Sequence, residues 1–338
     1  MKENKKNIIH AMSGGVDSST AAAILKDKGY NVAGLFLIMH KTTTGLKDAK
    51  QIAKQLDIPL KVLDVKKQFT KKVVDYFIKE YEKGRTPNPC VECNKHIKFK
   101  FLFNIAEKQK YQYISTGHYA KTTKNTLLKA KDKTKDQSYF LWPLTKKQIQ
   151  KTIFPLGEYT KEEIRKIAKK KNLSIHQKKE SQEACFVQES LNQFLKKNIK
   201  TKKGPIKNTK GEIIGEHQGL PLYTIGQRRG IRIGGIGPFY VVKKDFKNNA
   251  LIVAQGDFNK ELFKKQAVIE KTNWITKPKL PAKCNIKIRY LTKETPGIIK
   301  KQNKNYLIEF NKPQRAVTPG QSAVFYKKDQ ILGGGIIK

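Results

Sequence analysis

The stretch NIIHAMSGGVDSS, residues 7–19, joins a short apolar run to a helical pattern through a glycine-rich turn. Adjacent Gly14 and Gly15 let the backbone turn tightly, so successive N–H groups can point into one concavity. The helix start adds its partial positive charge. Ser13, Ser18 and Ser19 add hydroxyl donors, and the whole reads as a phosphate cradle. It is neither the dinucleotide fingerprint G-x-G-x-x-G nor the Walker loop G-x-x-x-x-G-K-[ST]. A bare Gly-Gly turn with Asp17 near a helix start would need no ligand; the six-residue string SGGVDS between a strand and a helix favours a nucleotide.

Outward from this loop the first third alternates strand and helix patterns. Apolar runs at 30–38, 60–65 and 111–119 read as strands. Segments 18–28, 46–56, 68–82 and 95–108 carry helical spacing, and TPNPCVEC, residues 86–93, reads as a loop between two of them. This rhythm predicts an α/β domain with a parallel sheet covered by helices. Residues 136–172 read as mostly helical, with Thr160 and Glu163 in a capping-box pattern. From about residue 204 the texture turns to glycine and short strands. From about 262 alternating runs such as KCNIKIRYL, NYLIEF and SAVFY predict a small antiparallel barrel or sandwich. The expected division is 1–200, 201–260 and 261–338.

The 338 residues include 70 Lys and Arg against 28 Asp and Glu, a net +42. Such a surplus attracts polyanions, nucleic acid first, although a Lys- and Asn-crowded chain also reflects an AT-rich genome. Only seven arginines occur, at 85, 165, 228, 229, 232, 289 and 315. Arg228, Arg229 and Arg232 cluster in a glycine-rich stretch and suggest RNA backbone contact. The opening MKENKKN leads into too short an apolar stretch for a secretory signal, and no apolar run approaches membrane-spanning length. The expected setting is a reducing cytoplasm without membrane attachment, where the four thiols Cys90, Cys93, Cys185 and Cys284 are catalytic, metal-binding or buried.

SGGVDS resembles the PP-loop of the ATP pyrophosphatases. That resemblance implies cleavage of ATP between its α- and β-phosphates, with transfer of AMP to a substrate oxygen. The ordered series TPNPCVECNKHIKFK, STGHYAK, KDQSYFLWPL, SQEACFV, GEHQGLPLYTIGQRRG and AVTPGQSAVFY narrows it. From about residue 7 to 337 the chain resembles the tRNA-specific 2-thiouridylases of the MnmA type. The resemblance implies a PP-loop domain, a small central domain and a C-terminal β-barrel. It also implies adenylation of uracil O2 in the wobble uridine of tRNA, followed by displacement of AMP by sulfur. ATP and Mg²⁺ are implied as cofactors, and a cysteine desulfurase or sulfur relay protein as donor.

Residue by residue, the resemblance implies an ATP site at Ala11, Met12, Ser13, Gly14, Gly15, Val16, Asp17 and Ser18, with Leu37 and Gly117. Leu37 stands where the family often has Met. The cysteine before Asn94, Cys93, takes the nucleophile position, and Cys185 of the S-x-x-x-C-F string takes the persulfide position. Thiolate chemistry suits both roles, since cysteine is partly ionised near neutrality. Asn88, Pro89 and Cys90 map to target-base contacts. His118, Lys135, Asp136, Gln137, Arg289, Tyr290 and Gln321 map to tRNA contacts. Arg289 beside Tyr290 also reads independently as a phosphate fork next to a stacking ring.

Many relatives carry Asp where this chain has Cys90, so that position stays open. A zinc knuckle is disfavoured because C-x-x-C occurs once. A four-iron four-sulfur cluster on Cys90, Cys93 and Cys185, with one iron open to sulfide, is a second way to deliver sulfur. Two rival functions are a PP-loop tRNA modifier that joins an amine and needs no thiols, and a non-catalytic RNA-binding protein with a relic loop. Cys284, in an alternating strand, reads as core.

Overall fold

The computed structural model describes residues 6–40, 44–178, 184–231, 233–234 and 237–338. Arg232 lies outside them. The first sheet is formed by β1 (Asn7–Ala11), β2 (Asn31–Ile38), β3 (Leu60–Asp64) and β4 (Tyr113–Ser115). A hairpin of β5 (Lys121–Thr123) and β6 (Thr126–Leu128) follows, and β7 (Thr152–Ile153) returns to the sheet edge. The order is β3-β2-β1-β4-β7, every pairing parallel. Ile8 and Ile9 of the middle strand are fully buried, as a strand covered on both faces requires. The chain leaves β1 toward β2 on one side, and β4 lies on the other. The crevice beyond the ends of β1 and β4 is therefore the topological switch point, where such sheets bind ligands.

Two helical readings change. TPNPCVEC is not all loop: a helix begins at Pro89, runs to Cys93, passes through a π-helical turn Asn94–Lys98 and continues as Phe99–Lys108. Asn88 is its N-cap, its side chain accepting from the Cys90 N–H, and Pro89 fills the first position, where a missing N–H costs nothing. Residues 136–172 are less helical than the pattern suggests. They hold a 3₁₀ turn Ser138–Phe140, a short helix Lys146–Lys151, β7 and the capping-boxed helix Lys161–Lys170. Pro143 and Pro155 lack the N–H that would carry a helix through.

A central sheet contains β8 (Gly204–Lys207), β9 (Ile213–His217), β10 (Phe239–Asp245) and β11 (Ala250–Gln255), in the order β10-β11-β8-β9. The C-terminal part contains β12 (Phe263–Trp274), β13 (Ala282–Lys287), β14 (Thr295–Gln302), β15 (Asn305–Arg315), β16 (Ser322–Lys327) and β17 (Gln330–Ile337). These six run antiparallel as β12-β15-β14-β13-β16-β17, and β17 pairs back to β12, closing a barrel. Closure removes the free edges of an open sheet. Ile269, Ile286, Ile299, Ile308 and Phe325 fill the interior, and Cys284 packs against that core. The β5–β6 hairpin pairs with β17, so the first domain adds two strands to the barrel wall.

Candidate active site

The nucleotide loop is closed by its own serines. Ser18 Oγ accepts from the Ser13 N–H at 3.1 Å, lies 3.0 Å from Ser13 Oγ and donates to the Gly15 carbonyl at 3.2 Å. The helix Val16–Asp27 starts at Gly15 without a capping side chain, so none occupies its first N–H groups. Gly14 takes φ +72°, and a Cβ there would fall 2.1 Å from the Gly45 carbonyl oxygen. A second helix start, at Thr44–Gln55, thus presses on the loop. Met12 and Val16 are core, and Leu37 is buried in β2. A Cβ on Gly117 would lie 2.8 Å from the Ser18 nitrogen, so the exit of β4 rests on the helix start.

Side chains the sequence reading passed over surround this loop. Lys161 Nζ pairs with Asp17 Oδ1 at 2.6 Å, and the Tyr119 hydroxyl donates to the same oxygen at 2.9 Å. Lys178 Nζ donates to the Gly14 carbonyl at 3.3 Å and pairs with Asp48. Beneath, fully buried His10 links Ser115 Oγ (2.9 Å) to the Ser18 carbonyl (2.8 Å). Burial pushes its pKa down to about 4, against the opposing pull of the Ser18 carbonyl.

The cysteine site lies on the other side of the β4 exit. Cys93 is buried, its thiol 3.9 Å from Met39 Sδ at the end of β2; Cys90, one turn earlier, is exposed. Cys185 is exposed and brought in by its neighbour: the Phe186 ring meets Phe77 at 5.3 Å, Phe194 at 5.6 Å and Phe69 at 5.9 Å. Aromatic edge-to-face packing of this kind fixes the chain on either side of it. All four thiols are free.

Lys98, at the end of the π-helical turn, is the charge among these thiols. No carboxylate pairs with it among the described residues. Burial pushes the Cys93 thiol up to about 12; Lys98 opposes this, while Cys185 and Cys90 reinforce it. Burial also raises Cys185, again against Lys98. Burial works against the Lys98 charge, but Cys93, Cys90 and Cys185 together hold its pKa above the ordinary value. A π-turn at this point fits the tendency of such irregularities to mark functional sites.

The residues mapped to tRNA divide into two groups. His118 lies between Phe99 and Phe154, accompanied by Thr116 Oγ1 at 2.7 Å; burial and then Lys98 hold its pKa well below the usual value. Tyr290 packs at a tilt against Phe140, ring centroids 4.5 Å apart, and the Phe140 carbonyl accepts from Asn94 Nδ2 at 3.1 Å, so this ring adjoins the cysteine helix. Lys135, just before Asp136 in the chain, is half-buried. The others face inward. Asp136 accepts from Ala130 N–H (3.0 Å) and Ser138 Oγ (2.8 Å), and burial raises its pKa. Gln137 is bound to Tyr119 through its side chain and backbone. Arg289 Nη2 donates to the Ile225 and Ala316 carbonyls, and Gln321 Nε2 to the Thr86 carbonyl.

Three family models match consecutive stretches. They are described as tRNA methyl transferase HUP domain (6–189), tRNA methyl transferase PRC-barrel domain (192–255) and Aminomethyltransferase beta-barrel domain (264–337). The chain is 44% identical to the tRNA-specific 2-thiouridylase MnmA of Buchnera aphidicola subsp. Schizaphis graminum, covering 100% of this chain and 98% of that one. It is 43% identical to the MnmA of Legionella pneumophila strain Lens, with 99% of each covered. This chain belongs to the tRNA-specific 2-thiouridylase family. As a member of that family it is a tRNA sulfurtransferase. The NH3-dependent NAD synthetase of Campylobacter jejuni is similar in structure over 52% of this chain and 69% of its own, at 18% identity and TM-score 0.34.

Within this 2-thiouridylase no three His, Cys, Asp or Glu side chains are arranged to hold a metal ion among the described residues. Cys93 is buried while Cys90 and Cys185 are exposed, and the three lie close enough to act on Lys98 together. No helix among the described residues is long and apolar enough to cross a membrane.

Proposed function

We propose that this enzyme performs ATP-dependent 2-thiolation of the wobble uridine of tRNA through a cysteine persulfide. The observation that carries the reading is the contrast between Cys93 and Cys185: both act on Lys98, yet one is buried and the other exposed. Of these two, only Cys185 is open to a protein donor, a desulfurase or relay protein. Cys185 thiolate therefore takes the sulfane sulfur, and Cys93 works inside the site.

ATP would lie with its phosphates on Ser13–Ser18 and its base toward Leu37 and Gly117. Attack of uracil O2 on the α-phosphorus forms the O–P bond and breaks the bond to pyrophosphate. Mg²⁺ on the phosphates would neutralise the leaving charge, and Asp17, whose Oδ1 is held by Lys161 and Tyr119, is the loop carboxylate that would face it. The terminal sulfur of the Cys185 persulfide then attacks C2, and AMP leaves with the former O2. Cys93 thiolate attacks Cys185 Sγ, breaking the S–S bond and releasing 2-thiouridine. The product is a Cys93–Cys185 disulfide, which an external thiol reduces to restore both cysteines. Asn88, Pro89 and Cys90 would face the target base, and Tyr290 and Lys135 would meet the RNA around it. The central sheet and barrel, residues 201–260 and 261–338, would grip the tRNA.

The test is incubation with tRNA, ATP, Mg²⁺ and a persulfide donor, then nuclease digestion and mass spectrometry for 2-thiouridine. Wild type makes it; Cys93→Ser and Cys185→Ser do not, and Cys90→Ser keeps most of the activity. An aminated nucleoside in place of 2-thiouridine, formed equally well by Cys185→Ser, would favour an amine-joining enzyme. Loss in Cys90→Ser together with loss of iron from anaerobically purified protein would replace the persulfide by a cluster.

A further inference from the structure

Thr86 begins the segment that leads to both catalytic-site cysteines of the helix Pro89–Cys93, and other domains hold it on three sides. Its N–H donates to the Pro319 carbonyl of the barrel at 2.8 Å. Its own carbonyl accepts from Gln321 Nε2 at 2.8 Å. Its hydroxyl lies 3.0 Å from that of Thr224, which belongs to the central domain. Between Pro319 and Gln321 the barrel loop passes so close that a Cβ on Gly320 would stand 2.8 Å from the Thr86 nitrogen and 2.9 Å from its carbonyl carbon. One residue earlier, Arg85 bridges Glu80 of the preceding helix, Asp75–Glu82, and Glu270 of β12, each at 2.7 Å.

The barrel loop that makes this clamp is itself held by Arg289. One nitrogen, Nη2, donates to the Ala316 carbonyl at 2.8 Å and to the Ile225 carbonyl at 2.9 Å, and meets Thr318 Oγ1. Arg289 thus ties the loop before Gln321 to the turn after Thr224. These bonds commit Nη2 to neutral partners of two loops, and the Nε and Nη1 donors take no part in the clamp. Gln321 likewise commits one amide N–H to the Thr86 carbonyl.

We propose that Arg289 and Gln321 are positioning residues: they lock the barrel loop 316–321 and the central turn at 224–226 onto Thr86, and so fix where the cysteine helix starts. The chain from Thr86 to Cys90 has little slack. Pro87 and Pro89 restrict their own φ, and Asn88 is committed as N-cap to Cys90. A displacement of Thr86 is therefore passed on to Cys90 and the turn that carries Cys93. The clamp also makes the site depend on how the barrel and central domain stand, the surfaces that would grip tRNA. This inference rests on the thiolation reading for its kinetic readout only.

The experiment compares wild type with Gln321→Ala and Gln321→Glu, the second keeping shape while removing the donor. Hydrogen–deuterium exchange is followed with residue resolution in the peptide spanning 84–90; after its first two residues the two prolines leave Thr86, Asn88 and Cys90 as reporters, Thr86 being the clamped one. Single-turnover 2-thiouridine formation and tRNA affinity are measured on the same proteins. The expected result is roughly tenfold faster exchange at Thr86 and a rate constant lowered about tenfold, the scale on which misplacement costs rate, with tRNA Kd within about twofold. Thr224→Val, which acts from the central domain, should move both readouts the same way and serves if the Gln321 variants fold poorly. Unchanged exchange at Thr86, or weaker tRNA binding with an unchanged rate constant, overturns the proposal. Absence of 2-thiouridine from wild type would fail the thiolation reading instead, and the exchange measurement would still decide the clamp.

Discussion

Phe186 packs edge-on against Phe77 with ring centroids 5.3 Å apart, and this contact sets Cys185 beside a cysteine 92 positions earlier in the chain. Phe69 and Phe194 complete the aromatic seat. Nothing covalent joins the two thiols, so their approach depends on this packing. Phe186→Ala should leave Cys185 open to alkylation and to persulfide loading, while sulfur transfer to tRNA falls about 100-fold, the cost of misplacing a reacting group by about 1 Å. Phe186→Leu should recover part of it. Transfer at the wild-type rate in the Ala variant would show that another element positions Cys185.

Lys98 supplies the positive charge toward which three thiols are gathered. An ammonium beside a thiol favours the thiolate. Lys98→Met should therefore slow alkylation of Cys185 by iodoacetamide at pH 8 about tenfold, one pKa unit's worth of thiolate, and slow persulfide loading in parallel. Lys98→Arg, which keeps the charge, should stay near wild type. Equal alkylation rates in all three proteins would remove Lys98 from the chemistry.

The parallel sheet and its loop could be read from residues 7–19, because a buried strand, a tight glycine turn and a helix start each leave a local signature. The barrel could be read from alternation at period two. Local signals were also present for the cysteine helix, since Asn88 and Pro89 are an N-cap and an N1 proline; two prolines in four residues made the stretch look like loop. Other parts of the site have no local signature. Lys98 is one lysine in a lysine-crowded chain, and only its placement among thiols sets it apart. Gln321 and Thr86 are 235 positions apart. Arg289 beside Tyr290 suggested phosphate and base, and the fold in addition commits its Nη2 to carbonyls of two loops. Sequence shows which groups are present, not which of their donors stay free.

The buried thiol of Cys93, pushed up to about 12, predicts an unusual pH profile. Its thiolate fraction should grow about tenfold per pH unit through the working range. Site-resolved alkylation of Cys93 should therefore rise with a slope near one up to about pH 10 without levelling, whereas an ordinary thiol levels above about 8.5. The same preference for the protonated thiol in the folded state gives stability that is present below the ordinary thiol pKa and drains as pH rises toward 12. A plateau in Cys93 alkylation near pH 8 would show that Lys98 outweighs burial.

His10 works in the opposite pH range. Its folded pKa of about 4 lies below the ordinary 6.5, so between these values the unfolded chain binds the extra proton. Stability contributed by neutral His10 is complete above pH 6.5 and is lost as pH falls toward 4. The shift corresponds to on the order of 3 kcal/mol. Urea unfolding at pH 7 and pH 4.5 should show wild type losing about 2 kcal/mol more than His10→Gln across that interval. Equal losses would mean that water or a rearranged loop accommodates the imidazolium.

Arg228 and Arg229 are exposed in the turn that follows Gly226, and Gly226 lies against Ala316 of the clamped barrel loop. They belong to the central domain and stand close in sequence to Thr224, so RNA held there would bear on the same junction that holds Thr86. If both neutralise phosphates, each contributes about 0.7–0.9 to the slope of log K against log salt concentration. Reversing both to Glu should reduce that slope by about 1.5 or more and weaken tRNA binding at low salt by at least tenfold. The intrinsic chemistry should survive, since neither side chain touches a thiol or the nucleotide loop in the described hydrogen bonds. Single-turnover thiolation at saturating tRNA should accordingly stay within about threefold of wild type while KM rises, the pattern of lost uniform binding. An unchanged salt slope in Arg228→Glu/Arg229→Glu would place the RNA backbone elsewhere on the basic surface.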